Sequence, residues 1–200
     1  MAGKLKIGAL ASGGGSNLQS IIDRCLDNTI NGEVVIVISN NSKAKALERA
    51  ENHGIAHFHI SVFTEGSEEN ADRRITHEML SHNVDLVVLA GYMKKIGNEL
   101  LDKFNGRIIN IHPALLPKFG GNGMYGMRVH EAVITAGEKE SGPTVHYVDK
   151  EYDQGKIIAQ VKVSVYPGDS PDDLQKRVLE KEHIILPQVI KKIADEMEFK

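Results

Sequence analysis

Apolar positions along the chain recur with two alternating periods. Runs that are apolar at every or every second position, as strands require, fall at 4–11, 33–39 (EVVIVIS), 56–60, 85–91 (DLVVLAG) and 107–112 (RIINIH). Between them apolar residues return every three or four positions, the helical spacing, over 16–28, 43–54, 68–83 and 97–105. DLVVLAG is apolar on both faces, which marks a central strand of a parallel sheet. This alternation predicts an α/β fold: a doubly wound, mostly parallel sheet with helices on both faces.

After Pro113 the rhythm changes. Residues 115–128 (LLPKFGGNGMYGMR) read as a glycine-rich loop, and its segment 119–128 is expected to be a mobile flap that orders when a ligand binds. A short helix over 129–137 and strands over 144–148 and 156–165 follow, so antiparallel strands are expected in the C-terminal part. Ser170 as N-cap, Pro171 at the first helical position and Asp172 and Asp173 in the first turn start a last helix. Pro187 is expected to kink or divide it. No repeat, low-complexity run or linker interrupts the pattern, which predicts one domain over 1–200.

Composition narrows the function classes. A net charge of −3 provides no basic field for nucleic acid. The longest apolar runs, such as VVIVI, are too short to span a bilayer. The N-terminus has no long apolar signal-peptide core and runs directly into the first strand. The single cysteine, Cys25, can form no internal disulfide, which points to a reducing cytoplasm. On the apolar face of IIDRCL it reads as a small buried hydrophobe. No metal site is expected: there is no H-E-x-x-H, and His77 and His82, five apart, are badly spaced for chelation. Small-molecule partners remain, for a monomer or homodimer.

Three stretches can carry chemistry. Ser12-Gly13-Gly14-Gly15-Ser16-Asn17 lies between a strand and a helix, where free helix N–H groups make an anion cradle. It lacks the Gly-Lys of a phosphate-binding P-loop, and Leu18 stands at the third glycine of the dinucleotide fingerprint, so a single phosphate fits better. In RIINIHP, Asn110 and His112 interrupt an apolar strand two residues apart, so both project from one face at its C-terminal end. Ligands of open parallel sheets bind beyond that edge, which also carries the glycine loop and the LAGYMKK turn. In VDKEYDQGK, Asp149, Glu151 and Asp153 occupy a turn between two strands; a carboxylate there can raise the pKa of a histidine or shuttle a proton, or be only a solvated acidic loop.

ASGGGSNLQSII, DLVVLAGYMKKI, RIINIHPALLPKF and TVHYVDKEYDQGKII together resemble the glycinamide ribonucleotide transformylases, in order and over nearly the whole chain. The resemblance implies a formyltransferase fold and transfer of a formyl group from 10-formyltetrahydrofolate, as co-substrate, to the amine of glycinamide ribonucleotide in purine biosynthesis. It implies a catalytic trio of Asn110, His112 and Asp153. Gly15, Ser16 and Asn17 then bind the ribonucleotide phosphate, and Glu182 the glycinamide end. Met93, Lys94, Lys95 and Ile96, with Asn110 and with Asp149, Lys150, Glu151, Tyr152 and Asp153, enclose the folate. The N-terminal half thus supplies the phosphate site and the C-terminal half completes the folate and catalytic site.

Three positions depart from the family pattern. Glu68 stands where some members have arginine near the folate tail; GGNGMYGMRVH is longer than the usual G-L-H-x-H stretch, with Arg128 at its first histidine; and Lys94-Lys95 replaces arginine followed by an apolar residue. The expected chemistry is direct attack of the amine on the formyl carbon. The Asn110 amide and a protonated His112 donate to the developing oxyanion, while Asp153, through a water, relays the proton and favours the imidazolium. Alternative readings are another folate-dependent formyltransferase, a formyltetrahydrofolate hydrolase, or a non-catalytic nucleotide- or folate-binding module.

Overall fold

The computed structural model describes residues 3–198. Along the chain lie β1 (Leu5–Leu10), α1 (Ser16–Leu26), β2 (Gly32–Ser39), α2 (Lys45–Asn52), β3 (Ala56–His59), α3 (Val62–Glu65), α4 (Glu68–Ser81) and β4 (Leu86–Leu89). There follow α5 (Asn98–Lys103), β5 (Ile108–His112), α6 (Met127–Thr135), β6 (Glu140–Ser141), β7 (Thr144–Tyr147), β8 (Ile157–Gln160), β9 (Val163–Ser164) and α7 (Pro171–Glu198). The main sheet has the order β3-β2-β1-β4-β5-β7-β8. Its first five strands are parallel, and β7 and β8 are antiparallel. The fold is therefore the doubly wound one expected, and the order reverses between β1 and β4.

Side-chain alternation along the strands divides the core into two layers. Ile7 and Ala9 of β1, Leu86 and Val88 of β4, and Ile109 and Ile111 of β5 pack under α1, α2 and α7. Leu10, Val87, Leu89 and Ile108 face α4 and α5 on the other side, with Phe104 fully buried among them. Each such buried aliphatic side chain contributes about 1.5–3 kcal/mol relative to exposure. Asn110 and His112 share the parity of Ile108, so β5 presents them beyond the second layer, where the helices end.

Three local outcomes differ from the sequence reading. The strand expected over 156–165 is two: β8 stays in the main sheet, while β9 pairs with β6 in a separate two-stranded sheet. Val163 is the cause, because it buries in a third small core with Val133, Leu174 and Val178. Helix α3 was not anticipated; it is a single turn closed by a capping box between Ser61 and Thr64. Helix α7 is undivided across Pro187. The proline removes one backbone donor, but it is itself buried beside Ile185, Leu186, Val189 and Ile190, whose packing on the sheet holds the helix together.

Gly155 opens the return from the 149–153 turn into β8. A Cβ there would overlap the backbone carbonyl of Tyr147, which no side-chain rotation relieves. Gly155→Ala is expected to cost about 1–3 kcal/mol, as overpacking does. That corresponds to a melting temperature lower by roughly 2–4 °C per kcal/mol in a chain of this size. An unchanged melting curve would show that the turn absorbs the methyl group.

Candidate active site

A cavity of about 650 Å³ opens at the C-terminal ends of β1, β4 and β5. Its position is the point where strand order reverses, the usual ligand crevice of a doubly wound sheet. Every site residue expected from the sequence lines it: Gly15, Ser16, Asn17, Met93, Lys94, Lys95, Ile96, Asn110, His112, Asp149, Lys150, Glu151, Tyr152, Asp153 and Glu182. The glycine-rich segment 121–126 forms another wall. It is not free at its base, because the Gly121 N–H donates to Asp153 Oδ2 at 2.9 Å.

At one end, the chain turns from β1 into α1 through Gly15, whose φ of 68° suits glycine. Helix α1 has no side-chain cap, and the N–H groups of Ser16, Asn17 and Leu18 have no partner among the described residues. These donors at the positive end of the helix make the anion cradle. Helix α2 braces it from behind: the Gly13 carbonyl accepts from Ala46 N–H at 3.1 Å, and the Gly14 carbonyl from Arg49 Nε at 2.9 Å. Asn17 Nδ2 donates to Glu182 Oε2 at 2.6 Å, leaving the buried Asn17 Oδ1 without a partner. Burial pushes the Glu182 carboxyl up, against the opposing Asn17 amide.

The other end is a longer arm between the 91–96 and 148–153 segments. Ser12 fixes the first by accepting the Met93 N–H at 2.8 Å, while its own hydroxyl donates to Asn40 at 2.5 Å. In the second, Glu151 N–H donates to Asp149 at 2.9 Å, and Lys95 Nζ lies 5.5 Å from the centre of the Tyr152 ring. Asp153 adopts a left-handed φ of 55°, a sparsely populated conformation that here aims its carboxylate inward. Its Oδ2 is 3.6 Å from His112 Nδ1, and its Oδ1 is 3.4 Å from Asn110 Nδ2. The expected trio therefore meets between the two arms.

The family model described as "Formyl transferase" matches residues 5–190. The chain belongs to the formyl transferase family. It is 43% identical over 195 residues to the chloroplastic phosphoribosylglycinamide formyltransferase of Arabidopsis thaliana, covering 96% of this chain and 66% of that protein. It thus spans just under two thirds of that plant relative. Against phosphoribosylglycinamide formyltransferase of Escherichia coli (strain K12), identity is 43% over 191 residues, covering 96% of this chain and 88% of the other. Glycinamide ribonucleotide transformylase 1 from Symbiobacterium toebii superposes with a TM-score of 0.91 at 39% identity, covering 96% and 89% of the two chains.

In this family member, burial bears on the charge expected of His112. Its Nε2 lies 2.7 Å from the Phe119 carbonyl, which can only accept, so Nε2 carries the hydrogen. Burial lowers the His112 pKa, and His146 adds to this; Asp153 and the Phe119 carbonyl oppose it without prevailing. Burial thus works against the expected imidazolium, because desolvation at 3% exposure outweighs one neighbouring carboxylate. Burial would raise the Asp153 carboxyl, but it is held below the usual carboxylate range, and the Gly121 N–H is one donor that favours its charged form.

Two histidines were missed in the sequence. His146, on β7, lies directly opposite Asn110, with Nε2 3.1 Å from the amide nitrogen. His130, on α6, is 2% exposed, and its Nδ1 has no partner among the described residues. No local signal in TVHYV singles out His146 or pairs it with residue 110. Among the described residues no cluster of three or more His, Cys, Asp or Glu is placed to hold a metal ion, and no helix is long and apolar enough to cross a membrane.

Burial, and secondarily His112, lowers the His130 pKa from 6.5 to about 4. Between those values the unfolded chain binds a proton that the folded chain refuses. Stability from this group is full above about pH 6.5 and is lost as pH falls towards 4. The loss reaches up to about 3 kcal/mol, from 1.36 kcal/mol per pKa unit. His130→Leu should flatten this part of the melting temperature–pH curve relative to the wild type. Parallel curves would show that His130 is not the group titrating.

Proposed function

We propose that the chain transfers the formyl group of 10-formyltetrahydrofolate to the amine of N1-(5-phosphoribosyl)glycinamide, a step of purine biosynthesis. The observation that carries this is the placement of Asn110, His112 and Asp153 between an anion cradle and a longer arm. A ribonucleotide phosphate fits the cradle, and Glu182 with Asn17 suits the glycinamide end. The folate co-substrate fits between Met93–Ile96 and Asp149–Asp153. On this reading the two halves of the chain form one domain acting in the cytoplasm. All the named groups lie within one chain, so a monomer suffices.

The amine attacks the formyl carbon, and the carbonyl electrons move to oxygen. An Asn110 N–H donates to that oxygen, the type of contact whose loss costs roughly 10²–10³-fold in comparable oxyanion holes. Asp153 accepts the proton of the new ammonium. It shares this proton with the bare Nδ1 of His112, which then becomes a second donor to the oxyanion. As the carbonyl re-forms, the bond to the folate nitrogen breaks and that nitrogen takes the proton. The proton lost by the amine is the one gained by the leaving group, so the side chains return to their starting state. His112 resting neutral suits a group that must receive a proton during the reaction.

Mixing the protein with glycinamide ribonucleotide and 10-formyl-5,8-dideazafolate, and following deformylation by absorbance, tests the activity directly. Release of folate without dependence on the ribonucleotide would favour a hydrolase. Asp153→Asn keeps an acceptor for Gly121 but removes the charge, and kcat is expected to fall by roughly 10²–10⁴-fold, the scale of general acid–base catalysis. His112→Asn should be comparably damaging. The double variant should lose much less than the product of the two, as residues acting as a unit do. Near-normal turnover in Asp153→Asn would remove the proton relay.

Gly15→Val tests the cradle. The new side chain meets Ala46 Cα and Cβ at 2.9 Å on a backbone of positive φ. The KM for the ribonucleotide is expected to rise about 10–100-fold, the worth of one hydrogen bond to a charged group. Folate affinity should change little. Equal loss for both substrates in a folded variant would place the phosphate elsewhere.

A further inference from the structure

The geometry points to His146 as the positioning residue that decides which end of the Asn110 amide faces the reacting carbon. This deepens the formyl-transfer reading and rests on it. Antiparallel pairing sets Asn110 of β5 opposite His146 of β7, on one sheet face. His146 is 2% exposed, so its ring has few alternatives to the partners it meets. Its Nδ1 lies 2.8 Å from the Tyr147 carbonyl. A carbonyl only accepts, so Nδ1 carries the hydrogen and Nε2 presents a lone pair. That lone pair is 3.1 Å from Asn110 Nδ2 and accepts one of its hydrogens.

The second Asn110 hydrogen is directed at Asp153 Oδ1 over 3.4 Å, a long bond that a closer acceptor can replace. The formyl oxygen, as it gains negative charge, is such an acceptor. Reversing the amide would set its Oδ1 against both the His146 lone pair and the Asp153 carboxylate, two repulsive pairs. At rest, His146 and Asp153 therefore select the same orientation. During transfer Asp153 takes up a proton and stops selecting. His146 is then the group that keeps the amide nitrogen, and not its oxygen, towards the oxyanion. His146 Nε2 is also 3.5 Å from Asp153 Oδ1. A hydrogen placed there would point a donor at the Asn110 nitrogen, which is the nearer atom, so the lone-pair assignment is the consistent one.

Two measurements test this. The first is the ring ¹⁵N chemical shifts of the free protein, with His146 assigned by comparison with His146→Gln. We expect Nδ1 protonated and Nε2 bare; a protonated Nε2 would overturn the proposal. The second compares His146→Leu, which has no acceptor, with His146→Gln, whose side-chain oxygen can accept from Asn110. His146→Leu is expected to lower kcat about 10²-fold, the scale of losing one aimed donor, with both KM values little changed. His146→Gln should recover most of that loss. Equal losses in the two variants, or KM values rising in step with the fall in kcat, would reduce His146 to packing. Inactivity of the wild type would instead overturn the formyl-transfer reading, while the ring shifts would still decide the Asn110 orientation.

Discussion

One half-buried carboxylate holds the site together. Asp153, on a turn between two antiparallel strands, accepts from the Gly121 N–H and the Asn110 amide and lies beside two imidazoles from β5 and β7. A carboxylate removed from water is costly unless its oxygens find donors. The glycine-rich wall, the two strands and the turn are thereby drawn to one point. The Gly121 N–H favours the ionised form of Asp153 against the burial that opposes it. The left-handed backbone at residue 153 is tolerated because these partners determine its position from several sides.

The rest of the fold brings two unlike surfaces to that point. The cradle at the start of α1 is made of backbone donors and is braced by Arg49 and Ala46 of α2. The longer arm is made of side chains on exposed turns. Ser12 joins them, because its hydroxyl contacts both the Met93 N–H and Asn40, linking the ends of β1, β2 and β4. The proposed reaction between an amine and a formyl group needs both held near attack distance, and a large part of its barrier can be removed by such positioning alone. Rigid strand ends supply this better than loops do.

Desolvation sets the protonation pattern. His112 lies beside a carboxylate, which in water would favour its charged form. Buried at 3% exposure, it is instead driven towards the neutral form. A neutral imidazole with its hydrogen committed to the Phe119 carbonyl has one free nitrogen, and that nitrogen faces Asp153. On the proposed mechanism the histidine receives a proton when negative charge appears, which couples its charge to the chemistry.

The residue pattern by itself determined the doubly wound sheet, the cradle, and the presence of Asn110 and His112 on one strand face. These follow from local rules, because side-chain direction repeats every 2 or 3.6 residues whatever the chain does elsewhere. The gathering of Asp153 with the pair was legible only through the motif resemblance, since it lies 41 positions beyond His112 in the chain. The tertiary structure alone decided the rest. The break of the 156–165 strand depended on where Val163 finds a core, and the continuity of α7 through Pro187 on what its buried face packs against. The partnership of His146 with Asn110 is a matter of antiparallel register, which spacing along the chain does not encode. The push of His112 towards its neutral form reflects how much water the folded chain excludes, and that is a property of packing rather than of neighbouring residue types.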